Sequence, residues 1–83
     1  MPDPIRVILE ITAARTFATA ADWPGWSRGA RTAEGALESL AAYAPRYAPV
    51  ARVAGLELPP VDGGRAFEVV AAARVAWHAL DHA

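Results

Sequence analysis

From Ile5 to Thr12 the chain alternates, with Ile5, Val7, Leu9 and Ile11 on one side and Arg6, Ile8, Glu10 and Thr12 on the other. A period of two in a run rich in β-branched residues predicts a strand with one face in a core. Residues 15–21 repeat the habit more weakly, with Phe17, Thr19 and Ala21 set against Thr16, Ala18 and Ala20. A hairpin through Ala13-Ala14 is expected, although neither Asn-Gly nor Asp-Gly marks the turn. Residues 27–30 read as a third, edge-like strand.

The period then changes. Thr32 offers a side-chain oxygen to the open N–H groups of a helix beginning at Ala33, and Glu34 favours the same start. A full capping box would place Glu or Gln where this chain has Gly35. Leu37, Leu40, Ala41 and Ala44 share one helical face, and Glu34 and Glu38 another. Pro45 and Pro49 predict an end near Ala44, followed by a kinked or second short helix through Val53 that Gly55 stops. Residues 56–61 read as extended and Asp62-Gly63-Gly64 as a turn. Phe67 to Val70 fits either a strand or the start of a last helix. From Ala71 the composition is helical, with Val70, Ala73, Trp77 and Leu80 on an apolar stripe and Arg74, His78, Asp81 and His82 on a polar one. No Gly, Asn or Pro ends that pattern before Ala83, which suggests an abridged version of something longer.

Eighty-three residues make one small domain with one core. Alanine makes up much of the apolar fraction of 54% and buries little area, so the expected core draws on few residues. These are Ile5, Val7, Leu9, Ile11, Phe17, Leu37, Leu40, Val50, Val53, Leu56, Val69, Trp77 and Leu80. With eight basic against nine acidic residues, the net charge of −1 lacks the basic excess of a chain that tracks nucleic-acid phosphates. Direct nucleic-acid binding is therefore not expected. The absence of cysteine excludes disulfides and thiolate metal or redox sites and is compatible with a reducing cytoplasm, the expected location. No apolar run reaches the roughly 20 residues of a membrane span, so no membrane partner is expected.

The candidate chemistry is sparse. In Asp22-Trp23-Pro24-Gly25-Trp26, proline fixes its own φ and glycine supplies a positive one, so the pair encodes a tight turn that directs both indoles. Trp23 and Trp26 read either as an exposed anchor for a partner or as cover for a small core, one indole doing each being compatible with both. Asp22 is expected to bond the turn amides. Glu34 and Glu38, one helical turn apart, read as a face toward a basic partner or as a wetted surface. Tyr43 and Tyr47 read as packing residues with a polar tip. His78 and His82 share a helical spacing that would offer two metal ligands, with Asp81 beside them, but the chain holds no further histidine to close a site. No catalytic set and no cofactor are expected.

Two segments carry resemblances. Residues 7–70, with Asp22-Trp23-Pro24-Gly25-Trp26-Ser27-Arg28, Ala33-Glu34-Gly35-Ala36-Leu37 and Ala42-Tyr43-Ala44-Pro45-Arg46-Tyr47-Ala48-Pro49-Val50, resemble the N-terminal part of an uncharacterised actinobacterial family. Their organisation is also similar to the HicB-like antitoxin domain, a small α+β sheet-and-helix fold that binds a toxin protein and masks its ribonuclease site. Trp77-His78-Ala79-Leu80-Asp81-His82 resembles a helix of the same actinobacterial family reminiscent of DinB-like four-helix bundles, which often hold a metal through histidines. No DNA-binding segment of the kind HicB-like antitoxins carry is evident.

The expected fold is α+β: a small antiparallel sheet of two to four strands against one main helix, with a C-terminal helix over residues 71–83, all in one HicB-like domain spanning 1–83. The expected function is that of a non-catalytic protein-interaction module, meeting a protein partner or a second copy through Trp23, Pro24, Gly25, Trp26, Glu34 and Glu38. The alternatives are a remnant of a DinB-like metal-binding protein, with His78, Asp81 and His82 as leftover ligands, and a chain with no selected function.

Overall fold

A computed structural model of the chain describes residues 4–56, 58 and 67–74. Strands β1 (Ile5–Ile11), β2 (Thr16–Ala20) and β3 (Ser27–Ala30) are followed by one helix, α1 (Ala33–Val53), and by strand β4 (Phe67–Arg74). The sheet order is β3-β2-β1-β4. The first three strands form an antiparallel meander, whereas β4 lies parallel to β1. The α+β class is as expected; the sheet is mixed rather than antiparallel.

The β1–β2 hairpin closes without a glycine turn because Thr12 replaces that signal. Its N–H donates to the Arg15 carbonyl at 2.7 Å, and its hydroxyl both donates to that oxygen and accepts from the Arg15 N–H, each at 2.9 Å. The register then places Val7 opposite Ala20 and Leu9 opposite Ala18. Facing residues share a side of the sheet, so Ala18 and Ala20 join the core with Val7 and Leu9, all four buried. Phe17 falls on the other face, half-buried, against the expectation that it would be a core residue. It lies across Gly29, where a Cβ would stand 2.7 Å from its ring.

Helix α1 begins as expected. The Thr32 hydroxyl accepts from the Gly35 N–H at 3.0 Å, and a Cβ at Gly35 would crowd both that oxygen, at 3.1 Å, and the Ala30 methyl, at 3.2 Å. The helix does not divide at its prolines; it runs unbroken for 21 residues with Pro45 and Pro49 inside. Both prolines are exposed, so the carbonyls that lose a helical donor lie toward water rather than in the core. The helix stops at Gly55 as expected: Gly55 takes φ +79°, its N–H donates to Arg52 O, and the Leu56 N–H donates to Ala51 O, both at 2.9 Å.

The buried stripe of α1 is Ala36, Leu40, Ala44, Tyr47 and Ala51, which faces β2 and β3. With Ile5, Val7, Leu9, Ala18, Ala20 and Trp26 it forms one core. Val50 and Val53, expected inside, are 54% and 90% exposed; each residue step turns a helix by about 100°, and both fall off the stripe that Ala44, Tyr47 and Ala51 define.

The expected C-terminal helix is corrected over its first residues. Ala71 to Arg74 continue the strand from Phe67, paired with β1 from Ile8↔Ala71 to Ile11↔Arg74. Hydrogen bonding to β1 outweighs alanine's helical preference. Val70 is the extra residue of a bulge in β4, opposite the step from Val7 to Ile8, where the register shifts by one. Among the described residues α1 is the one helix. The remainder of the expected last helix, with Trp77, His78, Leu80, Asp81 and His82, lies outside the described residues, as does the Asp62-Gly63-Gly64 turn.

Candidate functional site

The Trp-Pro-Gly-Trp corner joins β2 to β3 and folds under α1. Trp26 N–H donates to Trp23 O at 3.2 Å and Gly25 has φ +83°, the geometry of a type II turn with Pro24 and Gly25 at its centre. The turn separates the two indoles. Trp26 is fully buried, and its Nε1–H donates to the Leu40 carbonyl at 3.0 Å. Trp23 stays half-buried at the rim.

Tyr47 locks the corner to the helix. Its ring stacks on Trp26 with centroids 5.3 Å apart, and Trp23 meets it edge-on at 6.3 Å. Its hydroxyl donates to the Pro24 carbonyl at 2.8 Å, so the apolar ring and the polar tip are both used. Phe67 of β4 completes the cluster, edge-on to Trp26 at 5.8 Å. The chain's informative motif is thus first a packing device, with Trp26 as its buried centre.

What remains outward is Trp23's free edge, with Pro24 and Gly25, both exposed. Glu34 and Glu38 are exposed on α1. Asp22 does not bond the turn amides as expected. It faces Arg6 of β1 in a two-point fork, Nη2 to Oδ1 at 2.6 Å and Nε to Oδ2 at 3.0 Å. That bond lowers the Asp22 carboxyl below its ordinary value; desolvation opposes it and the guanidinium charge adds to it. The same bond raises Arg6.

A second feature was not foreseen. Arg28 sits on β3 opposite Ala18, so its side chain rises on the helix side of the sheet and its guanidinium carbon lies 4.9 Å from the centre of the Tyr43 ring. Arg28, Ser39, Ala42, Tyr43 and Arg46 line an open cleft of about 260 Å³. The sequence signal was present in the spacing of Ser39, Ala42, Tyr43 and Arg46 at i, i+3, i+4 and i+7; what could not be read was that Arg28 would come up beside them.

His78, Asp81 and His82 lie outside the described residues. Among the described residues no group of three or more His, Cys, Asp or Glu side chains could hold a metal, and no helix is long and apolar enough to cross a membrane. In comparison with known proteins, no family model, no curated protein and no solved structure matches this chain.

Proposed function

We propose that this chain is a non-catalytic protein-interaction module of HicB-like character, which meets a protein partner along the side where the tryptophan corner and α1 reach the surface. The observation that carries the reading is the division of labour at the corner. Trp26 is committed to the core while Trp23, Pro24 and Gly25 keep exposed surface beside it, so a rigid, partly apolar prominence is presented by a turn that the core holds in place. The acidic Glu34 and Glu38 give α1 a charged flank that would steer a basic surface.

The test is retention of protein partners from a cell extract by the immobilised chain, compared with the variants Trp23→Ala and Glu34→Arg/Glu38→Arg. Glu34 and Glu38 are exposed and Trp23 is half-buried at the rim against Tyr47, so retention is compared only after far-ultraviolet circular dichroism shows that each variant keeps the parent's fold. A partner retained by the parent and lost by both variants is expected. Equal retention by all three, or no retention and no self-association by sedimentation, overturns the reading.

A further inference from the structure

We infer that the cleft between α1 and the β3 edge is a receptor for an extended acidic segment of a partner protein, with Arg28 and Arg46 receiving its carboxylates. The inference rests on the interaction reading above and names the chemistry of one of its contacts.

Three observations converge on this cleft. The first is charge. Arg28 and Arg46 approach the same opening from different elements, and among the described residues the one ion pair is Arg6 with Asp22. Neither cleft arginine is therefore spent on a carboxylate of the described chain. A guanidinium presents a planar fork of donors that matches a carboxylate in two-point fashion, and two of them in one cleft define an anion receptor more sharply than scattered surface arginines do. The Tyr43 ring beneath Arg28 restricts that side chain, so less rotamer freedom is lost when an anion arrives. The hydroxyls of Ser39 and Tyr43 add neutral donors to the same wall.

The second is the edge. β3 is the outer strand on this side of the sheet, pairing with β2 alone. Its outward N–H and C=O groups are a template on which an extended segment can add as a further strand. Side chains on one face of such a segment would project on the helix side of the sheet, the side from which Arg28 rises. The third is what surrounds the cleft. A net charge of −1, with Glu34 and Glu38 on the same helix, gives no extended positive field for a polyanion such as nucleic acid. Two arginines in a cleft lined by no acid, on a helix whose Glu34 and Glu38 form a separate acidic flank, suit a short segment carrying a few carboxylates, on a partner whose basic residues meet that flank.

The experiment uses the full chain labelled with nitrogen-15 and a capped peptide of alternating glutamate and valine. Saturable amide shifts are expected at Ser27, Arg28, Gly29, Tyr43 and Arg46. The variant Arg28→Gln/Arg46→Gln, changed only at exposed positions, should keep a dispersed spectrum and bind about tenfold or more weakly, the loss expected for two charge-assisted contacts. Replacing each glutamate of the peptide by glutamine should weaken binding to the parent to a similar extent. Three outcomes overturn the inference: no saturable shifts at these residues, equal binding of the glutamine peptide, or tighter binding of a single-stranded oligoribonucleotide at the same amides. Failure here is separable from failure of the interaction reading. If extract partners are still retained and then lost in Trp23→Ala and Glu34→Arg/Glu38→Arg, the module stands and only this receptor falls.

Discussion

The tryptophan corner and β4 are both built from apolar residues, yet they end in opposite environments. Under α1, Trp26, Leu40 and Tyr47 are buried with a ring of alanines around them. On the far side of β1, Val69 and Val70 are 44% and 47% exposed, and Ala71 to Ala73 are exposed as well. The difference is position under the helix: α1 packs on β3 and β2, while β4 touches chiefly β1. Composition alone does not decide burial; the element standing above does. Small residues on both facing surfaces let helix and sheet approach, and the one large indole fills what they leave.

The largest test of that comparison is Trp26→Ala. It removes the stacked ring and the donor to Leu40 O and leaves a cavity, at a cost of about 3–5 kcal/mol. A domain of this size holds only a few kcal/mol in reserve, so the variant should be largely unfolded by circular dichroism at room temperature. The matching change in the open region, Val69→Ala or Val70→Ala, should lower the unfolding free energy read from urea titration by about 1 kcal/mol or less. Similar losses at the two places would break the contrast.

A smaller effect sharpens it. Tyr47→Phe keeps the stack on Trp26 but removes the hydroxyl that donates to Pro24 O, and should lower stability by about 0.5–1.5 kcal/mol. Because that bond ties the turn to the helix, the variant's amide exchange should quicken at Trp23 and Trp26, whose N–H groups bond within the turn, before it does in β1. Unchanged exchange in the turn would mean that the rings alone hold it. In the parent chain, β4 amides should exchange faster than those of β1, since the edge strand opens at lower free energy than the strand between two neighbours.

The parts of this architecture that were legible in the sequence are those fixed by local chemistry. The Thr32 cap and the Gly55 stop act through bonds within a few residues, the alternation in β1 shows through the two-residue period of its own side chains, and each stands where it was expected. Less local features were not legible. Thr16 to Ala20 offer small or ambivalent side chains on both faces, so only pairing with β1 decides that Ala18 is inside and Phe17 outside. The alanines of β4 favour helix until β1 is available to pair with them. Pro45 and Pro49 are helix breakers by rule, but both fall four residues apart on the wetted side, where the lost bonds are least harmful. At the candidate site, the turn was readable because Pro24 and Gly25 encode it, but the partners of its indoles were not. Tyr47 lies 23 positions beyond Pro24, and Arg28 reaches Tyr43 only once β3 and α1 have packed.

The smallest expected effect lies in the pair that ties the corner to β1. Asp22 and Arg6 are both half-exposed, at 54% each for their side chains, so water and salt screen their attraction. The hydrogen bond from Arg6 sets the folded-state pKa of Asp22 below its unfolded value. A carboxyl of that kind contributes fully above its unfolded pKa and loses its contribution as pH falls through the lower, folded one. Thermal midpoints should therefore decline through the acid range below the ordinary aspartate pKa, and Asp22→Asn should flatten part of that decline while lowering the neutral-pH midpoint slightly. Raising the salt concentration at neutral pH should bring the two midpoints together. If the neutral-pH gap persists in high salt, the fork contributes through geometry rather than charge, by fixing where the corner leaves β2, and the tryptophan turn is then anchored at both ends: by Tyr47 from the helix and by Arg6 from the sheet.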